Sequence, residues 1–139
     1  MYLIAFPLLL VPFVLYCMEA FLLNIDFATK LFDVPLLAGR SMAVSAGDLL
    51  VLLGIVLLYV EILKATRMSS KAIVDHVLSF VLFIVMVIMF IAVPAAATST
   101  FLILMALSFV DVVGGFTITI RTAQRDIALD RPEHMAPNV

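Results

Sequence analysis

The residues of this chain that could carry chemistry are acids in apolar surroundings: Glu19, Glu61 and Asp111, with Asp48, Asp75 and His76 near the ends of apolar runs. Asp111 is the most exacting. It stands in "SFVDVVGG", with no charged residue from Val77 to Val110 or from Val112 to Ile120. At mid-membrane depth an ionised aspartate costs about 2.5–3.5 kcal/mol or more. Three chemistries answer that cost: a neutral carboxyl hydrogen-bonded inside a helix interface, a carrier of a proton or cation, or a partner to a group on a neighbouring subunit.

Spacing decides which groups can act together. Ser108, Asp111, Gly115 and Thr119 follow i, i+3, i+7, i+11, one stripe of small and polar residues that should face protein rather than lipid. Gly47, Gly54 and Glu61 recur every seven residues in another apolar run, a close-packing face ending in an acid. These two segments are expected to pair, with Ser108, Asp111, Gly115 and Gly54 at the interface. As a proton or cation pathway, Asp111 would be the mid-membrane carrier and Glu19 and Glu61 the entry or exit acids.

Simpler roles compete for most of these acids. "SAGD" makes Ser45 an N-cap with Asp48 three residues on. Glu61 has Lys64 one turn away, a local ion pair. Asp75 suits a helix N-terminus, and His76 beside it reads first as a hydrated boundary residue and second as a proton relay. Glu19 shares a face with Tyr16 and Pro12 and could reach either the interface or the phenol.

No catalytic, cofactor-binding or metal-ligating set emerges. Paired axial histidines, Cys/His clusters, GxSxG, HExxH and P-loop patterns do not occur in the sequence. Cys17 reads as a small buried hydrophobe, and the eight methionines as flexible core packing. The expectation is no enzyme and no cofactor.

The elements that position these residues follow from composition. The 139 residues are 65% hydrophobic and 13% charged, and their mean hydropathy is +1.28. Soluble domains carry roughly 45–50% apolar and ~25% charged residues, so this is the composition of an integral membrane protein. One membrane domain is expected, an all-α bundle of four spans at about 2–23, 47–63, 72–93 and 100–120, with a tail over 121–139. The first segment has no positive n-region and no small-residue cleavage site, and is read as a retained span bent at Pro7 and Pro12. "VPAAATST" breaks the long apolar run into a hairpin, with Thr98 or Ser99 capping the last helix. "RTAQRDIALD" prolongs that helix beyond the membrane, with no breaker before Pro132.

Lys64, Arg67, Lys71, Arg121, Arg125 and Arg131 fall on one side of such a bundle, and only Lys30 and Arg40 on the other. That bias predicts both termini on the cytoplasmic side of the membrane. The external loop from Asn24 to Val44 is expected to hold a short interfacial helix, capped by Asp26, carrying Phe27, Leu31 and Phe32 and ended by Pro35. A net charge of −2, with basic residues at the ends of apolar runs, argues against nucleic acid. The expected partners are the lipid bilayer and either further copies of the chain or another membrane protein.

Two four-span families diverge from this pattern. Small multidrug-resistance exporters share an acid in the first span, but Glu19 lies near the end of its segment; voltage sensors carry regularly spaced arginines where this chain has Asp111. With "GDLL", "EILKATR" and "DVVGG", the pattern resembles small four-span proteobacterial inner-membrane proteins to which no activity attaches. The function these readings support first is a non-enzymatic helical subunit of a homo-oligomer or larger inner-membrane complex. The second is a proton or cation channel or transporter using Asp111.

Overall fold

The computed structural model describes residues 6–66 and 70–129, omitting the side chains of residues 70–72, 126, 128 and 129. The chain is mostly helical, with one small sheet. Helix α1 spans Leu10–Cys17 and runs on as a π-helical turn, Met18–Leu22; strands β1, Lys30–Pro35, and β2, Ser41–Ser45, follow. Helix α2 is Ala46–Ala65, α3 is Ser70–Ala92 and α4 is Ser99–Leu129, with a 3-10 turn at Pro94–Ala96 between the last two. Three segments are long and apolar enough to cross a membrane: Ala46–Ala65, Ile73–Ala92 and Ser99–Arg125. The remaining apolar helix, Leu10–Leu22, is shorter. Residues 2–5 of the expected first span, Arg67 in the α2–α3 connection and Asp130–Val139 of the tail lie outside the described residues.

Proline accounts for the start of α1. Pro12 has no N–H to give the Leu8 carbonyl, which accepts instead from Val11 at 3.0 Å. The π turn ends with Leu23 N–H on the Met18 carbonyl at 3.2 Å, and the chain reverses through Asn24 at φ 49°, the left-handed region that asparagine tolerates.

The expected interfacial helix is replaced by a β-hairpin. Asp26 makes a single turn, accepting from Ala28 N–H at Oδ1 (3.0 Å) and from Thr29 N–H at its carbonyl (2.8 Å), and caps no helix. Strands β1 and β2 pair antiparallel with Phe32 opposite Val44 and Val34 opposite Met42, and a bulge lies between Lys30 and Phe32. Gly39, at φ 71°, lets the chain turn back, and its N–H meets the Leu36 carbonyl at 3.1 Å. A helix of about nine residues is too short to stand alone in water, whereas the turn lets both flanks satisfy their backbone groups. Phe27 and Val44 of this loop pack inward, the Phe27 ring stacked on Tyr16 at 4.3 Å; Leu31 and Phe32 stay exposed.

Helix α2 starts at the expected capping box: Asp48 N–H donates to Ser45 Oγ at 3.2 Å, and Ser45 N–H donates to Asp48 Oδ2 at 2.9 Å. Thr98 caps α4 by accepting from Phe101 N–H at 3.1 Å. Helix α4 packs against both α2 and α3. Leu50 and Leu58 of α2, Leu82 and Met86 of α3, and Phe101 and Leu104 of α4 form the core, with Leu9 and Tyr16. Tyr16 is fully buried at the hairpin end. Its hydroxyl donates to the Ala95 carbonyl at 2.8 Å and shares a hydrogen bond with Thr98 Oγ1 at 2.7 Å. Most other large apolar side chains, among them Leu52, Val56, Ile88 and Ile91, point outward, the distribution a lipid-facing surface requires.

Candidate functional site

Below the apolar core, toward the α2–α3 end, the three long helices enclose a polar cluster. Helix α2 contributes Glu61 and Lys64 from its last turns. Glu61 is 4% exposed, and Lys64 Nζ reaches its two carboxylate oxygens at 3.0 and 3.2 Å. The same ammonium lies 3.0 Å from Asp75 Oδ2 on α3 and donates to the Phe6 carbonyl at 2.8 Å. Glu61 Oε2 also accepts the Leu8 N–H at 3.0 Å. One lysine thus ties α2 to α3 and to the segment entering α1. Such a buried charge set stands only while its members stay paired.

Asp75, His76 and Ser79 continue the cluster along α3. Asp75 and Ser79 are one turn apart, in line with Leu82 and Met86 at i+7 and i+11, and all four are buried. Facing them on α4, Ser108 and Asp111 are buried, and Ser79 stands beside the Asp111 carboxyl. Asp111 falls twelve residues into the apolar segment Ser99–Arg125, about 18 Å along the helix axis and close to its midpoint. Asp75, His76 and Lys64 lie within electrostatic range of it.

Farther along α4, Thr119 Oγ1 is 3.0 Å from His76 Nε2. Gly115 lies directly under the imidazole: a Cβ there would sit 2.5 Å from both Nδ1 and Cε1, so only glycine admits the ring. The stripe Ser108–Asp111–Gly115–Thr119 therefore meets α3 at Ser79 and His76. Gly54 faces α4 instead, where a Cβ would lie 3.0 Å from Leu107 Cδ1 and 3.1 Å from Leu104 Cδ2.

Four buried oxygens in this region lack a hydrogen bond of good geometry, Asp75 Oδ1, Ser79 Oγ, Ser108 Oγ and Asp111 Oδ2, although Ser79 is close enough to the Asp111 carboxyl, and Asp75 to Glu61, to act as partners. Buried polar atoms are nearly always well paired, and a concentration of poorly paired ones sets this region apart from ordinary packing. The charge count points the same way. Three carboxyls, Glu61, Asp75 and Asp111, gather around one ammonium, so acids outnumber fixed bases in the cluster.

The cluster brings Glu61 and Asp111 into one neighbourhood through Asp75 and Ser79. Glu19 is not part of it. It sits on the π turn, eleven residues beyond the Leu8 that meets Glu61, roughly 16 Å along the helix. Its Oε2 is buried without a partner at the hairpin end.

Asp75 and His76, read from sequence as boundary residues, are 4% and 6% exposed, and Lys64 bridges helices as well as pairing with Glu61. The signal that could have found them is the spacing of Asp75, Ser79, Leu82 and Met86, the same kind of stripe that marked α4. The chain matches no family model, no curated protein and no solved structure.

Proposed function

We propose that this chain is a non-enzymatic integral protein of a bacterial inner membrane that takes up and releases a proton at Asp111. In this reading the chain crosses the bilayer four times, as an N-in/C-in bundle whose α2–α3 connection faces the cytoplasm. The observation that carries it is the row of buried acids and hydroxyls, Glu61, Asp75, Ser79, Ser108 and Asp111, that runs from the Lys64 ion cluster to mid-membrane with one ammonium among three carboxyls. A purely structural interface gains little from burying three carboxyls beside one ammonium, whereas a proton carrier needs a buried acid whose proton arrives and departs.

A proton suits the site better than a metal cation. Among the described residues no three His, Cys, Asp or Glu side chains converge to hold a metal ion, while a single proton between a carboxyl and a hydroxyl satisfies two of the oxygens at once.

The alternative, a helical subunit of a homo-oligomer or larger inner-membrane complex, draws support from the exposed apolar faces, which lipid covers equally well. Asp111 gives it little, being 3% exposed within one chain.

Asp111→Asn, a near-isostere that cannot ionise, tests the reading in liposomes loaded with a pH-sensitive dye under an imposed pH gradient. Wild-type protein should carry protons and the variant should not, at unchanged oligomer size. Wild-type liposomes no leakier than protein-free ones would overturn it.

A further inference from the structure

We infer that His76 is the relay that delivers the proton to Asp111, and that Gly115 is the positioning residue that admits its ring between α3 and α4; this rests on the proton-exchange reading above. The two ring nitrogens have different surroundings. Nε2 meets Thr119 Oγ1 at 3.0 Å, two helical turns beyond Asp111 toward the end of α4. Nδ1 lies against Gly115, one turn from Asp111, at the spot any β-carbon would fill. The imidazole thus bonds the Thr119 hydroxyl and lies over Gly115, one turn from Asp111 and within electrostatic range of its carboxyl, and the Phe116 ring, 6.0 Å away between centroids, walls one side.

Imidazole suits this task because it accepts a proton on one nitrogen and releases one from the other. A proton arriving at Nε2 by way of Thr119, followed by loss of the Nδ1 proton toward Asp111, leaves the ring neutral and the carboxyl with one more proton. No bond other than those to hydrogen changes, and no further reactant is needed. The charged groups of the cluster that His76 adjoins are Asp75 on its own helix, Lys64 and Glu61 on α2 and Asp111 on α4. Asp75 is already held by Lys64, which leaves His76 as the mobile proton holder nearest the stripe.

Glycine at 115 is what the geometry demands. Any other residue would push the ring out of the α3–α4 contact and separate Nδ1 from the Asp111 turn.

Reconstituted full-length protein tests this with the same dye-loaded liposomes. General acid–base transfer contributes ~10²–10⁴-fold, so His76→Gln should slow proton uptake by about a hundredfold or more. Gly115→Ala should slow it similarly with His76 still present. Added imidazole should restore uptake to His76→Gly, where it fits the space left by the ring, and should not restore Asp111→Asn. Rescue also shows that the glycine variant is folded. Wild-type uptake with His76→Gln at the wild-type rate would overturn the relay and leave the Asp111 reading standing; no wild-type uptake would overturn both. An infrared carboxyl band that follows a pH jump as fast in His76→Gln as in wild type would overturn the relay without any flux measurement.

Discussion

Lys64 Nζ lies 3.0 Å from Asp75 Oδ2 while holding Glu61 at the same distance, so one ammonium joins the last turns of α2 to the start of α3. Removing it leaves two buried carboxylates facing each other. Lys64→Met should destabilise the bundle by about 3–5 kcal/mol, the range for breaking a buried pair. Replacing all three charges together, as Glu61→Gln, Lys64→Met and Asp75→Asn, should recover most of that loss. Thermal unfolding in detergent reads both; a triple variant no more stable than Lys64→Met would show that the charges were not coupled.

Tyr16 makes two hydrogen bonds at the hairpin end from a fully buried position. Tyr16→Phe keeps the ring stacked on Phe27 but strands the Ala95 carbonyl and leaves Thr98 Oγ1 with the Phe101 N–H alone, for a loss of ~1–3 kcal/mol. Unfolding midpoints of Tyr16→Phe, Thr98→Val and the double variant check it. Because the Tyr16–Thr98 bond is lost in each single change, their effects should add to more than the double variant shows.

At Gly54 the space between α2 and α4 is tight but the neighbours are ends of leucine side chains. Gly54→Ala should be tolerated, since Leu104 and Leu107 can shift by a few tenths of an ångström. Gly54→Leu has no such room and should cost about 1–3 kcal/mol by overpacking. Disulfide trapping between cysteines placed on α2 and α4 would follow the separation, with slower cross-linking expected for the leucine variant alone.

Topology is open to a direct chemical test in intact cells on a Cys17→Ser background. Ala38→Cys, in the hairpin turn, should react with a membrane-impermeant maleimide added outside, while Phe6→Cys and Arg125→Cys should react only after permeabilisation. Phe6→Cys decides between three crossings and four: labelling from outside, together with Ala38→Cys, would sink the four-span reading.

How much of this was legible in the residues differs from place to place. The capping box at Ser45 and Asp48, the break at "VPAAATST" and the Ser108–Asp111–Gly115–Thr119 stripe are local: a cap reaches three residues and a helix face repeats every 3.6, so sequence alone specifies them. The Asn24–Val44 loop was misread because Asp26 can begin either a helix or a single turn. Pairing between strands separated by a glycine turn settled it, a contact no local propensity contains.

The membrane character, the long apolar helices and the mid-helix place of Asp111 were determined by the sequence itself, since hydropathy and helical rise depend only on residue order. The company Asp111 keeps was decided by tertiary structure. Lys64, Asp75 and His76 each had an adequate local explanation at the end of an apolar run. Only the packing of α2, α3 and α4 turns those ends inward and makes boundary charges into buried ones. The physical reason is that burial belongs to the assembled bundle: a polar side chain at a helix end reaches water when its helix stands alone, and must find its partners among other helices once they close over it.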